Sequence, residues 1–483
     1  LETEQNYLDL TKENYQANRV AHWNSVALKM RHWQGWGGYY HRRLNEIYAR
    51  MIPPGAKVLE IGCSNGDLLA SLKPADGTGV EISPEMTALA KDLHPELRLI
   101  NQSEDVFLVE GNFDFIIFSD ILNDVWDVQS IFDHVRQFAS PDCRVIINTY
   151  NRLWEPALLV AEKLGLAKPG RGKNWLTVSD IRNLLNLTGF EVIKTSREIL
   201  FPIGIPLIAT LFNRFLGRIW PFYYLTLTNL IVARLQPSPS LAENQPRVSV
   251  IVPARNEAGN IENIIKRTPE MGAGTEIVFV EGHSSDNTYA AIESEIARHP
   301  ERNCIAMQQT GKGKGDAVRL GFGKASGDVL MILDADLTVP PEDLPRFYDG
   351  LVSGKGDFIN GVRLVYPMEE EAMRFFNFIG NKFFSFSFSW LLGQPIKDTL
   401  CGTKVLWKRD YERIAANRSV FGDFDPFGDF DLLFGASILN MKIIDLPVRY
   451  RARTYGETNI QRWKHGWLLL RMVLFAAKNI KFT

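Results

Sequence analysis

The sequence predicts two α/β domains joined end to end, each built on a largely parallel sheet. Three observations lead there. At 483 residues the chain is too long for one ordinary core and suits two domains of about two hundred residues or more each. Near the start, the strand-like run Val58-Leu59-Glu60-Ile61 opens into a glycine-containing turn, Gly62-Cys63-Ser64-Asn65-Gly66. Far downstream a second apolar run, Val329-Leu330-Met331-Ile332-Leu333, delivers two carboxylates one residue apart, Asp334 and Asp336, at its C-terminal end.

Composition narrows the class. Hydrophobic residues at 45% and charged residues at 23% belong to a folded globular chain. A formal net charge of -2 argues against a general nucleic-acid binder, so an anionic partner must be met by local basic clusters. The four cysteines, Cys63, Cys143, Cys304 and Cys401, are widely spaced and form no pair at metal-ligand spacing. They point to a reducing compartment without a disulfide framework. The first residues, Leu1-Glu2-Thr3-Glu4, have no leader pattern, and a cytoplasmic location is the expectation.

The first domain is expected over 1–235. Aromatic and basic residues between 18 and 43 read as helices ahead of the first strand, most of them packing over the sheet. Strands are expected over 57–61, 77–81, 97–100, 114–118 and 144–148, with a final strand over 226–234. Val128, Ile131, Phe132, Val135 and Phe138 mark one face of a helix. Strands alternating with helices imply a doubly wound sheet that binds ligands beyond the strands' C-terminal ends. Gly62 and Gly66 let backbone approach a ligand closely, and Glu81 ends the second strand where an acid can bind both ribose hydroxyls.

This arrangement resembles the class I S-adenosylmethionine-dependent methyltransferases, on a Rossmann-like sheet, across roughly 40–235. The resemblance implies cofactor binding by Glu60, Gly62, Ser64, Gly66, Glu81, Glu104 and Asp105, with Ser64 at the usual middle glycine. Asp120, with Asn123, follows the fourth strand where acceptor-side groups sit; either also suits a helix cap. A dehydrogenase shares the distal acid, but the turn lacks the tighter G-x-G-x-x-G form.

Between 199 and 225 the chain is strongly apolar, yet broken by Pro202, Gly204 and Pro206 and followed by Arg214 and Arg218. It is too short to span a bilayer. An interfacial segment, a cover over an acceptor pocket and burial in the core all remain open. A Pro/Ser linker is expected over 236–246.

The second domain is expected over 247–460. A strand over 248–252 ends in Pro253-Ala254-Arg255-Asn256-Glu257, and one over 276–280 runs into Glu281-Gly282. Gly311-Lys312-Gly313-Lys314-Gly315-Asp316 opens a helix, and Asp334-Ala335-Asp336 follows. In this order the four motifs resemble family 2 glycosyltransferases of the GT-A fold, particularly the dolichyl-phosphate mannose synthase-like branch.

That resemblance implies a nucleotide-sugar site, for a UDP- or GDP-sugar, built from Pro253, Ala254, Asn256, Glu257, Glu281, Lys314, Asp334, Asp336, Arg363 and Arg451. Asp336 would hold Mg2+ or Mn2+, which prefers carboxylate and phosphate oxygens. Asp398, Gly402 and Thr403 belong to the acceptor loop. Asp429, with Asp431 beside it, matches the catalytic-base position; a helix-start pair is the competing reading. Glu281-Gly282 stands where paired aspartates are usual, and Thr338 where a Gln is common.

Many phenylalanines between 375 and 388 give more apolar surface than a soluble sugar needs, which favours a lipid-linked acceptor (polyprenyl phosphate or glycolipid) or membrane contact. The segment 461–483 is expected to be an amphipathic interfacial helix. Trp463, Trp467, Leu470 and Leu474 share one face, while Lys464, Arg471 and Lys478 form a basic stripe. The combined expectation is a bifunctional enzyme of cell-envelope assembly, peripheral on the inner face of the membrane. The alternative keeps only the glycosyltransferase active, with the first domain a cofactor-binding or docking module.

Overall fold

The computed structural model describes residues 11–30, 38–163, 174–237, 245–363, 375–418, 428–451, 453, 455 and 462–482. The chain divides into two compact units, one ending at Gln236 and the other beginning at Pro237. Most of the expected linker lies outside the described residues.

The first unit holds a seven-stranded sheet. In chain order its strands are β1 (Lys57–Ile61), β2 (Asp76–Glu81), β3 (Arg98–Asn101), β4 (Phe113–Ser119), β5 (Ala139–Tyr150), β6 (Phe190–Glu198) and β7 (Thr228–Leu235). They lie in the order β3-β2-β1-β4-β5-β7-β6, all parallel except β7, which is antiparallel to both neighbours. Alternate side chains feed two cores, because successive residues of a strand point to opposite faces. Leu59, Ile61, Ile116, Phe118, Val145 and Ile147 pack on one face with the helix Val128–Val135. Val58, Phe115, Ile117 and Ile146 pack on the other with the helix Gly38–Met51.

The expected final strand is last in sequence, but it lies inside the sheet, between β5 and β6. The edge strand β6 was not legible. It pairs only with β7, so most of its residues stay half-exposed and its run Lys194-Thr195-Ser196-Arg197 carries no apolar signal. The helix predicted from Val128 to Phe138 ends at Val135, after an Asp127 cap that accepts from the amides of Gln129 and Ser130. Segment 199–225 forms irregular helical turns. Ile199, Leu200 and Ala209 are buried, but many of its large apolar side chains face outward.

The second unit is also a seven-stranded sheet: β8 (Val248–Ala254), β9 (Thr275–Glu281), β10 (Asn303–Gln308), β11 (Val329–Ile332), β12 (Phe358–Val362), β13 (Lys404–Trp407) and β14 (Ile443–Pro447). The order is β10-β9-β8-β11-β13-β12-β14, with β13 antiparallel to β11 and β12. Four parallel strands therefore end together and carry Glu257, Glu281 and Asp334 to one edge. The helix Phe375–Leu392 packs against Arg462–Ala476. In the latter, Leu469, Met472 and Ala476 are buried, whereas Trp467 and Leu474 are about 60% exposed (63% and 60%). The side chains of Trp463 and Lys464 lie outside the described residues. Among the described residues no helix is long and apolar enough to cross a membrane.

Candidate functional site

Each sheet presents a group of polar residues at the C-terminal ends of its parallel strands. In the first unit β1 turns through Gly62 at φ 72, where a Cβ would lie 2.0 Å from the Ile121 side chain, so only glycine fits. Ser64 follows at φ 50 and its amide donates to Glu81 Oε2 at 3.0 Å. The Ser83 amide donates to Glu81 Oε1 at 2.9 Å. Burial and the nearby Glu104 push the Glu81 carboxyl up to about 7, against these two hydrogen bonds. Glu60 is buried behind the turn, and desolvation drives its carboxyl well above the ordinary range. Among the described residues the Ser64 hydroxyl has no hydrogen-bond partner.

Glu104 is 2% exposed and bound by both arms of the Arg19 guanidinium, at 2.8 and 3.1 Å. Arg19 continues to Asp124 at 3.0 Å, which also accepts from Trp23 Nε1 at 2.7 Å. Asp105 pairs instead with Lys12 and Ser103, apart from the glycine turn.

Asp120, at φ 56 just past β4, anchors a second network. Its carboxylate accepts from the Tyr40 hydroxyl at 3.0 and 3.2 Å and from Asn148 Nδ2 at 2.5 Å. Behind these, the Tyr48 hydroxyl donates to Asn148 Oδ1 at 2.7 Å. Burial, with Asp120 nearby, pushes both tyrosines well above their usual range, so they remain donors. Asn123 is 3% exposed and its amide group has no partner among the described residues. Sequence reasoning missed Arg19, Tyr40, Tyr48 and Asn148. The aromatic-basic stretch ahead of β1 was a signal, but it read mainly as packing.

In the second unit the β8 turn is tied to the β9 turn. Asn256, at φ 58, donates its amide to Ser284 Oγ at 3.0 Å and accepts from the Ser285 amide at 2.7 Å. Pro253, partly exposed, and Ala254, buried, close β8 just before that turn. Glu281 is buried at the end of β9 and accepts from the Ser284 amide. Glu257 accepts from Asn260 at 2.7 Å and Arg453 at 3.1 Å, while burial raises its carboxyl to about 7.

The centre is an alternating chain of charges. Lys314, at the start of the helix Lys314–Lys324, pairs with Asp334 at 2.6 Å and lies 4.0 Å from Asp429. Lys404, fully buried, stands 3.9 Å from the other oxygen of Asp429. Burial works against the charge on Asp334, but Lys314 prevails and holds its carboxyl below the usual range. The loop after Asp398 closes over this pair, since a Cβ on Gly402 would lie 2.0 Å from Asp334 Oδ2. Gly428, at φ 73, packs on the backbone of Gly315, where a Cβ would come within 2.7 Å. Asp336 accepts from Thr338 at 3.1 and 2.8 Å and from Arg453 Nη2 at 2.7 Å. Arg453 therefore bridges Asp336 and Glu257.

The remaining named residues do not join these ion pairs. Arg363 is buried and spent on Asp398, through Nε at 2.7 Å and Nη2 at 2.9 Å. Asp431 pairs with Arg319 at 3.2 Å. Thr403 is buried with no partner for its hydroxyl among the described residues. Arg451 is exposed and lines a cavity of about 320 Å3 with Arg267, Arg346 and Arg449, to which none of the central cluster contributes. Arg453, in the same basic run, is the arginine that reaches the carboxylates.

The second site fits a divalent cation. Asp336 is a hard oxygen donor at the sheet edge, and one carboxylate completed by substrate phosphates is a common Mg2+ arrangement. Among the described residues no group of three or more His, Cys, Asp or Glu forms a closed metal cage. The first site fits S-adenosylmethionine through the glycine-only turn, the unpartnered Ser64 hydroxyl and the buried Glu81.

Residues 249–414 match the family "Glycosyl transferase family 2", and residues 34–195 match "Methyltransferase domain". A dolichol-phosphate mannosyltransferase of Pyrococcus furiosus is 29% identical over 44% of this chain and 59% of its own. An undecaprenyl-phosphate 4-deoxy-4-formamido-L-arabinose transferase of Pectobacterium carotovorum is 37% identical over 24% of this chain and 36% of its own. This chain thus spans only part of the curated relatives it matches. Among solved structures, magnesium protoporphyrin IX methyltransferase from Synechocystis aligns at 18% identity, covering 41% of this chain and 84% of its own, at a TM-score of 0.29. By its two family matches, the chain joins a methyltransferase domain to a family 2 glycosyltransferase domain.

Proposed function

We propose that this chain performs two group transfers: a methyl group from S-adenosylmethionine by the first domain, and a sugar from a nucleoside diphosphate sugar to a polyprenyl phosphate by the second. The observation that carries the second half is the chain Asp334–Lys314–Asp429–Lys404 beside the Asp336–Arg453–Glu257 bridge. Of the two ammonium groups that flank Asp429, Lys314 is partly exposed and is the one an anionic acceptor can meet, whereas Lys404 is fully buried and balances the carboxylate from behind. A phosphate oxygen is already a nucleophile and needs no base to remove a proton. The names of the two relatives, which act on dolichol phosphate and undecaprenyl phosphate, favour the same acceptor class.

In the inverting reaction the acceptor oxygen attacks the anomeric carbon as the bond to the diphosphate breaks. The diphosphate leaves with that electron pair. Lys314 and Arg453 are placed to meet its charge, and a cation on Asp336 would supply further neutralisation. Glu257 and the β8 turn would hold the nucleoside. In the first domain Gly62 and Ser64 would receive the cofactor, Glu81 its ribose, and Asp120 would orient the acceptor.

The exposed apolar side chains Phe383, Phe386, Trp467 and Leu474 support a peripheral position on a membrane, which suits a lipid acceptor. A cytoplasmic-face role in cell-envelope glycolipid assembly follows from that reading. Separability tests it. Gly62→Arg should abolish S-adenosylmethionine binding by calorimetry and leave sugar transfer intact, and Asp336→Ala should do the reverse. If cofactor binds but no S-adenosylhomocysteine forms with lipid-linked acceptors, the first domain is a binding module.

A further inference from the structure

The segment from Phe201 to Leu225 presents many apolar side chains outward and is tied to the domain by inward polar contacts. Asn213, 3% exposed, closes it by accepting from the Phe201 amide and donating to the Phe201 carbonyl, both at 2.7 Å. At the far end Asn151 donates to the carbonyls of Tyr224 and Thr226 at 3.0 and 2.8 Å, and Trp154 Nε1 to that of Leu225 at 2.7 Å. A segment pinned at both ends holds its outward side chains by construction.

Those side chains include Leu207 at 85% exposure, Trp220 at 77%, Leu211 at 52% and Tyr224 at 51%. Leu207 is the most exposed large apolar residue among those described, and it sits at φ 65, a conformation that a leucine adopts only under strain. Isolated exposed leucines are ordinary, but this density on one short segment is not.

Charge selects the occupant. No acidic residue occurs from Ile199 to Ala242; Arg214 is exposed, although its Nε donates to the carbonyl of Phe482, whose ring stacks on Phe215, and the Arg197 guanidinium lies 4.7 Å from the Tyr224 ring. Aromatic rings and arginines beside an apolar tip match an anionic bilayer surface, where tryptophan and tyrosine favour the headgroup level.

The segment also adjoins the candidate acceptor carboxylate. Asn213 donates to the Tyr39 hydroxyl at 3.0 Å, and the next residue, Tyr40, donates to Asp120. We propose that Phe201–Leu225 is a bilayer-docking lip of the methyltransferase domain that sets the Asp120 site at the membrane surface. Docking through this lip is separate from the helices of the second domain, while the placing of Asp120 rests on the methyl transfer proposed above.

Flotation of the full chain with vesicles of phosphatidylcholine and phosphatidylglycerol tests it, in the absence of any substrate. Leu207→Ser/Trp220→Ser should lower the partition coefficient about tenfold or more, given the apolar area withdrawn, with an unchanged thermal unfolding midpoint. Leu108→Ser, 74% exposed but outside this segment, should have no effect. Brominated acyl chains should quench tryptophan fluorescence, and part of that quenching should vanish in Trp220→Phe. If Trp467→Ala weakens binding while Leu207→Ser/Trp220→Ser and Trp220→Phe match wild type, the lip is refuted and the second domain's anchor stands. If the protein free of vesicles sediments as a dimer that Leu207→Ser/Trp220→Ser dissociates, a second copy covers this face and the proposal falls.

Discussion

Asp398→Asn should destabilise the second domain strongly, although sequence motifs put Asp398 in the acceptor loop. Asp398 is 1% exposed and Arg363 9%. The carboxylate accepts from Arg363 Nε at 2.7 Å, Nη2 at 2.9 Å and the Arg363 amide at 3.1 Å, and from the Leu400 amide at 3.0 Å. Asparagine keeps one acceptor oxygen, so it can serve the Arg363 or the Leu400 amide but not both, and it leaves a buried guanidinium without its counter-charge. Breaking a buried pair from one side costs about 3–5 kcal/mol. At a urea slope of about 3 kcal/mol per molar, the unfolding midpoint falls by roughly 1 M or more. Hydrogen exchange of peptides covering 358–363 and 396–407 assigns the loss to this sheet. Arg363→Met/Asp398→Asn should cost clearly less than the sum of its single variants, since neither charge is then stranded.

The pH dependence has a definite sign. Burial opposes the charge on Asp398, but Arg363 holds its carboxyl below the usual range, so the folded value lies below the unfolded one. The pair's contribution is therefore present above about pH 4 and is lost as pH falls through the folded value. The gap between wild type and Asp398→Asn should close in strong acid. Additive single variants, or an unchanged midpoint with sugar transfer abolished, would falsify the structural reading and return Asp398 to substrate contact.

Three further outcomes are expected. Because burial pushes the Glu81 carboxyl up to about 7 and ribose hydroxyls favour its charged form, S-adenosylmethionine affinity should rise from about pH 6 to about pH 8; a flat calorimetric profile, or one retained in Glu81→Gln, contradicts this. Asp429→Asn should slow transfer to a polyprenyl phosphate by less than about tenfold, whereas loss of a general base for a hydroxyl acceptor costs about a hundredfold or more; steady-state kinetics distinguish the two. Arg453→Met frees Asp336 and should tighten Mn2+ binding in the absence of nucleotide, read by electron paramagnetic resonance, while weakening donor binding; unchanged Mn2+ affinity would mean that the bridge does not compete with the cation.

Most strands at the buried centre of each sheet were legible, and so was the edge strand β3, but the rest of the rim was not. β1, β4, β8 and β11 are apolar runs closed by glycine or acid, so their positions and their polar ends followed from periodicity. The edge strands β6, β10 and β14 carry mixed residues because one edge stays open, whereas β12 and β13 are buried inside the sheet but short, one interrupted by Asn360-Gly361 and the other opened by Lys404, and pattern alone does not mark them. The same division holds at the sites. Gly62, Glu81, Lys314, Asp334 and Asp336 lie where motif spacing put them, on strand ends and helix starts. Pairings across long sequence separations were invisible: Arg19 with Glu104, Tyr40 with Asp120, Arg453 with Asp336. These depend on which helix or loop returns over the sheet, which local spacing does not encode. Arg363 and Asp398 each looked like substrate ligands, and only the tertiary structure brings them to each other.

The proposed sugar transfer to a lipid phosphate at the Asp336 edge of the second sheet can be measured. Its direct test incubates the full chain with Mn2+, undecaprenyl phosphate and a panel of radiolabelled UDP- and GDP-sugars, and counts label in the extracted lipid. One donor should yield a labelled, mild-acid-labile lipid, and Asp336→Ala should lose most of that incorporation while retaining S-adenosylmethionine binding. No labelled lipid with any donor, or full incorporation by Asp336→Ala without a divalent cation, would contradict the account.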